Sequence, residues 1–292
     1  MTEINPVSVN QPQQSKKRNI KGSLAAFGAG STASVALTPL CLLEMNGMTK
    51  FSKKLTKDEV QIVNNAADKI VSEVTNLGEK GVVIKDLRTP FVNVLPLPDW
   101  LVELTNPLFQ IPKGKNAAFL DKDIPLAEFK KNMVLINREK LPLCVFHELG
   151  HAFNFNNSSF WKTLQKSRVP GMGISGLVAL FPAFTKDSKA QDGEELTKGQ
   201  KFKNWMRKYS PVLAFGAMTP MLAEEGMASI RGCKWAKSLL NKNLFNKVLK
   251  TNVVAYTSYL TGALGMSLAA FAAKKVKDNS QAKLERKAMM NE

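Results

Sequence analysis

The chain has 292 residues, enough for one large domain or two small ones around a buried core. Hydrophobic residues make up 44 % and charged residues 22 %, a globular composition with apolar stretches unevenly spread. Lys and Arg outnumber Asp and Glu by 41 to 24, and a formal charge of +17 suits an anionic partner. The basic residues flank apolar segments with little aromatic interleaving and no DNA- or RNA-binding motif, which argues against nucleic acid and for an anionic lipid membrane. Cys41, Cys144 and Cys233 offer neither metal spacing nor a disulfide framework.

Residues 1–21 are polar, rich in Gln, Ser, Pro and Asn, and end in a basic cluster, which predicts a disordered tail. Residues 22–43 carry no charge and are about long enough to cross a bilayer. Their Gly, Ala, Ser and Thr suit close helix packing in a membrane; a buried helix of a soluble core is the other reading. From Leu55 the pattern becomes amphipathic: Val60, Val63, Ala67, Ile70, Val71 and Val74 recur at helical spacing. Thr56 and Glu59 form a capping-box pair at its start, and Gly78 stands where the helix is expected to stop. Between residues 80 and 136 the runs GVVIKDL, FVNVLPL, NAAFL and MVLIN alternate with prolines and predict a small, mainly antiparallel sheet. Two apolar runs, 171–184 and 210–223, predict a hairpin pair, each short for a full crossing. Residues 253–273 are uncharged, carry tyrosines near their start and end against Lys274 and Lys275, as a transmembrane helix does. The charged stretch 274–292 reads as a helix extension or a disordered tail.

Chemistry concentrates in VFHELGHAFNFNN, residues 145–157, which holds both histidines of the chain, His147 and His151, four residues apart. On a helix, positions i and i+4 share a face, so the two imidazoles project toward one point. That geometry suits tetrahedral Zn2+, completed by a third protein ligand and a water. Glu148 lies beside them without ligating, placed to take a proton from the activated water and pass it to a leaving amine. Apolar neighbours all round the helix predict burial, and Gly150 in its interior predicts the close approach of another element. Histidines that merely sit in the core are the plainer reading of the same residues. The third ligand is open on this evidence. The histidine that would complete a HExxHxxGxxH site is absent, since Asn154 and Asn157 occupy the glycine and histidine positions, which leaves a carboxylate, a cysteine or nothing.

Downstream, MLAEEGMASIRG (residues 221–232) resembles the segment from which gluzincin-type zinc metallopeptidases take a glutamate ligand, followed by ExxA. The order of an apolar N-terminal helix, HELGH, two apolar segments and this glutamate helix is similar to that of the membrane-embedded members, the CAAX prenyl proteases and the bacterial heat-shock membrane protease. The resemblance covers about residues 115–232 and rests on two short motifs, with Asn116-Ala117 of NAAFL similar to a strand near the active site in that group. It implies Glu225 as third ligand, with Glu224 and Ser229 behind the ligands. At position 229 the family usually has an aspartate hydrogen-bonded to a ligand histidine, and serine supplies no charge there. No spare histidine exists to stabilise a transition state, so Arg231, Tyr209, Tyr256 and Tyr259 are the candidates.

The expected fold class is α+β, mostly α: a zincin-like domain over residues 44–250, containing the apolar hairpin 171–223, with membrane-associated helices at 22–43 and 253–273. The expected function is a multi-pass, membrane-associated zinc metalloendopeptidase acting on a peptide or membrane protein, bound extended along a strand such as NAAFL. HELGH and Glu225 must share one side of the membrane, which the resemblance implies is cytoplasmic. Two other readings keep the same composition: a catalytically silent membrane scaffold with a zincin fold, and a basic membrane-surface protein in which HELGH is accidental.

Overall fold

The computed structural model describes residues 19–35, 47–89, 107–122, 131–190 and 194–290. It is mostly helical, with one three-stranded mixed sheet. In chain order the elements are α1 (Ile20–Val35), α2 (Lys57–Lys69), β1 (Val83–Asp86), β2 (Ala118–Leu120), β3 (Met133–Ile136), α3 (Val145–Asn157), α4 (Ser159–Lys166), α5 (Arg168–Phe184), α6 (Lys198–Ala217), α7 (Thr219–Leu239) and α8 (Lys242–Met290). The strand expected at FVNVLPL and the C-terminal part of the span expected at 22–43 lie outside the described residues.

Helix α2 begins where its capping box requires: Thr56 Oγ1 accepts from the Glu59 amide, and the Glu59 carboxylate accepts from the Thr56 amide. It does not end at Gly78. Its last turn widens over Ile70–Val74, and the chain reverses at Asn76, whose φ of 52° is a left-handed conformation that asparagine tolerates.

The sheet runs in the order β1-β3-β2, with β1 parallel and β2 antiparallel to β3, so it is mixed rather than mainly antiparallel. Short runs between prolines suggest hairpins, but β1 reaches β3 by a crossover that passes through β2. β3 is buried along its whole length, and its alternating side chains feed two clusters. Val134 and Ile136 pack under α3 with Val63, Ile70, Phe146 and Leu149. Met133 and Leu135 pack on the other face with Leu87, Ile111 and Leu120.

Helices α1, α5, α6 and α8 form a second layer with a different interior. Its contacts are made by small residues: Ala179, Ala214, Ala269 and Ala270 in one cluster, Ala26, Ala183 and Ala273 in another. Large apolar residues point outward instead, among them Leu24, Leu177, Val212, Leu268 and Phe271. The run 210–223 is not a single hairpin arm. It divides at Met218 between the end of α6 and the first turn of α7, where Pro220 sits as the helix start permits. Beyond Val253–Ala273 the charged C-terminal stretch continues as helix to Met290, so α8 is one helix of 49 residues. Among the described residues it is the one helix long and apolar enough to cross a membrane.

Candidate metal centre

Helix α3 is buried from Val145 to Ala152 on every side, as its apolar composition requires. Against it lies α7, and the two backbones touch at two glycines. A Cβ on Gly150 would stand 2.2 Å from the carbonyl oxygen of Ala228, and one on Gly232 would stand 2.5 Å from that of Phe146. Only glycine permits this approach. The close crossing brings the i, i+4 pair His147 and His151 against Glu224, Glu225 and Ser229, one turn of α7.

His147 Nε2 lies 3.0 Å from Glu225 Oε2 and 3.0 Å from His151 Nε2; His151 Nε2 is 3.3 Å from the same carboxylate oxygen. These three ligand atoms can hold a metal ion, and all three residues are buried. The outer ring nitrogens are engaged elsewhere. His151 Nδ1 donates to Glu224 Oε1 at 2.8 Å, because a carboxylate can only accept, and His147 Nδ1 is 3.1 Å from Ser229 Oγ. Glu224 Oε1 also accepts from Asn154 Nδ2 at 3.0 Å. With its Nδ1 protonated, a neutral His151 turns its Nε2 lone pair toward Glu225 Oε2. His147 Nε2 and Glu225 Oε2 face the same centre, an arrangement that favours a cation there.

The local charge says the same. Glu148, Glu224 and Glu225 are at most 7 % exposed, and a single guanidinium, Arg168, enters the shell beside them. Arg168 Nη2 binds Glu225 Oε1, leaving Oε2 for the histidines, and Nη1 stands 3.7 Å from Glu224 Oε2. Counting neutral imidazoles, three carboxylates against one guanidinium leave an excess of two negative charges, which a divalent cation neutralises. The protein's own groups answer the excess with a proton: burial pulls the His151 imidazolium down, but Glu225 and Glu224 outweigh it and raise its pKa to about 10. Burial also pushes Glu225 up, yet Arg168 and His151 hold it well below the usual carboxylate range.

Glu148, next to His147 and 7 % exposed, makes no hydrogen bond or ion pair with a described residue, and its charge acts on Arg168 and Tyr259 across the site. Of the four candidate donors, Tyr259 alone lies against the cluster, its ring 5.8 Å from the Arg168 guanidinium and its phenol within the field of Glu225. Tyr256 packs behind α7, where a Cβ on Gly226 would meet its ring at 3.3 Å. Arg231 lies over the Phe153 ring at 4.7 Å and feels Glu224 only electrostatically. Tyr209 packs on Trp205 in α6, with Lys208 over its ring.

Arg168 and Asn154 complete the cluster without having been singled out from the sequence. Asn154 had a signal, since it follows His151 by three residues and shares its face. Arg168 had a weaker one, being the last charge before the uncharged stretch 169–185. Comparison with protein families, curated proteins and solved structures finds no match to this chain.

Proposed function

We propose that the protein is a membrane-associated zinc metallopeptidase of gluzincin type. His147, His151 and Glu225 would hold the zinc. The observation that carries the reading is the triangle of ligand atoms with sides of 3.0, 3.0 and 3.3 Å. Bonds of about 2.0–2.1 Å in a tetrahedral site separate neighbouring ligand atoms by about 3.3–3.4 Å, so the triangle fits one face of such a site with little adjustment. Nitrogen and carboxylate donors suit zinc, and the charge excess asks for a divalent ion.

Zinc held there supplies Lewis acidity, lowering a water's pKa to about 7 and polarising a carbonyl. The chain's residues divide the remaining work. Glu148 accepts the proton of the attacking water and returns it to the departing amine. Glu224 fixes the His151 tautomer, aided by Asn154, while Ser229, at the position where the family resemblance expects an aspartate, faces His147 Nδ1. Arg168 anchors one oxygen of Glu225 and keeps the other aimed at the histidines. Tyr259, the candidate donor that reaches the cluster, is the residue to stabilise charge developing on the scissile carbonyl. β2 has β3 on one side and, among the described residues, no strand on the other, which gives an extended peptide an edge to pair with. The outward apolar residues of α1, α5, α6 and α8 support a multi-pass membrane setting.

The test is zinc per chain in detergent-purified protein, by elemental analysis, with cleavage of an unfolded protein substrate as second readout. About one zinc per chain is expected, falling sharply in Glu225→Ala, while Glu148→Gln keeps the metal and loses cleavage. Folded wild type that takes up no zinc sinks the reading. Zinc with no Glu148-dependent cleavage of any substrate tried leaves the silent scaffold.

A further inference from the structure

A second feature stands at the other end of the zinc-site helix and does not depend on the metal. Where α3 ends and α4 begins, a cavity of about 600 Å³ opens between the helix junction and the near ends of β1 and β3. Lys80, Lys122, Lys131 and Lys162 line it, and no carboxylate does so among the described residues. None of these four ammonium groups forms an ion pair with a described residue. Lys80 meets only the Asn157 amide oxygen, and Lys162 lies 4.6 Å above the Phe155 ring.

The walls are fixed. Asn132 Nδ2 donates to Asn156 Oδ1 at 3.0 Å, while Asn132 Oδ1 accepts from the Lys122 amide at 2.9 Å, tying the sheet end to the helix end. Ser158 is extended and caps α4 through Trp161, so the Ser159 and Phe160 amides at the mouth have no intrahelical acceptor. Four lysines lining one cavity beside a helix N-terminus supply point charges and free amide donors, the chemistry that a phosphate oxyanion takes.

The geometry points to a binding site for a phosphate group in this cavity, with a phospholipid headgroup or a free phosphate as its source. The surroundings favour the headgroup. Phe160, 61 % exposed, and Trp161 stand beside the cavity mouth on α4, and exposed Val169 and Met172 follow on α5. Aromatic rings beside lysines, at the entrance to an apolar helix layer, are what a lipid interface selects.

The experiment compares full-length wild type in neutral detergent with Lys122→Gln/Lys131→Gln/Lys162→Gln and with a charge-matched control, Lys234→Gln/Lys237→Gln/Lys250→Gln. Binding is measured to inorganic phosphate by calorimetry and, after reconstitution, to a soluble short-chain phosphatidic acid in phosphatidylcholine vesicles at one ionic strength. Zinc content is followed in parallel and is expected to stay unchanged in all three proteins. The expected result is a loss of about tenfold or more in the cavity variant and less than about twofold in the control. Binding of phosphate itself assigns the site to the free anion, and binding of phosphatidic acid alone assigns it to the headgroup. Equal losses in both variants, or none in either, overturn the site in favour of diffuse surface charge. Binding of polyglutamate, lost in the cavity variant, with no binding of either phosphate probe overturns it in favour of an acidic peptide.

Discussion

Among the helix crossings of the described residues that use glycine, two use it for different ends. Where α3 meets α7, Gly150 and Gly232 bring backbones into direct contact, and the space so closed holds two histidines and three carboxylates. Where α1 meets α8, a Cβ on Gly30 would stand 3.2 Å from the Ala269 carbonyl oxygen and from the Ala273 side chain, and the neighbours are alanines. The first crossing is tight because polar atoms must converge to within about one hydrogen-bond length. The second is close because small residues let helices pack without large side chains, which face outward. Glycine in the first is therefore a requirement of the site, and in the second one small residue among many.

Substitution at the two glycines is the sharpest way to break this comparison. Gly150→Ala should cost about 3 kcal/mol or more, because the new methyl meets backbone that cannot rotate away, and should lower zinc content. Denaturant unfolding in detergent alongside elemental analysis reads both effects. If Gly150→Ala unfolds no more easily than wild type, the tight crossing does not set the cluster. Next comes Glu224→Ala, which strips the acceptor from His151 and Asn154 but leaves the three ligands in place; a loss of about 10–100-fold in zinc affinity is expected from competition with a chelator. An unchanged affinity would mean the outer carboxylate does not orient the histidine. Gly30→Ala should fall within about 1 kcal/mol of wild type, since a contact of 3.2 Å needs a shift of only a few tenths of an ångström. A loss as large as at Gly150 would erase the distinction between the crossings.

The smallest effect lies outside both crossings. A hydrogen bond from Lys247, then one from the Thr56 amide, holds the half-buried Glu59 carboxyl below its ordinary value. Its stabilisation is therefore present above the unfolded-state pKa of about 4.3 and is lost as pH falls through the depressed folded value. Thermal unfolding of Glu59→Gln should match wild type at low pH and fall slightly below it near neutrality. A difference that grows on acidification would reverse the assignment.

What the sequence revealed of this architecture was what local rules can carry. The histidine pair shares a face because of helix geometry alone, the Thr56–Glu59 box needs only four residues, and Gly150 announced a neighbour because glycine inside an apolar helix otherwise costs stability. The partner's identity, Ala228 on α7, followed from no local rule. Arg168 is the clearest miss: it reaches Glu225 across 57 positions, from the start of another helix, and no spacing encodes that meeting. The parallel pairing of β1 with β3 was hidden similarly, because partner choice depends on the crossover between them. The division at Met218 was masked by composition, since apolar residues continue through it.

Helix α8 has a mechanical consequence. At about 1.5 Å per residue its 49 residues make a rod of about 74 Å, more than twice the roughly 30 Å thickness of a bilayer's hydrocarbon. Near one end Asn252 grips Ser229 and Cys233, and about two turns further Tyr259 lies beneath Arg168, which binds Glu225. Toward the other, Lys277 holds the start of α1 and Asp278 holds the buried Arg207. Because the helix is continuous from one clamp to the other, a tilt imposed near residue 278 would be carried to the phenol beside the His147–His151–Glu225 cluster, with no intervening joint to absorb it.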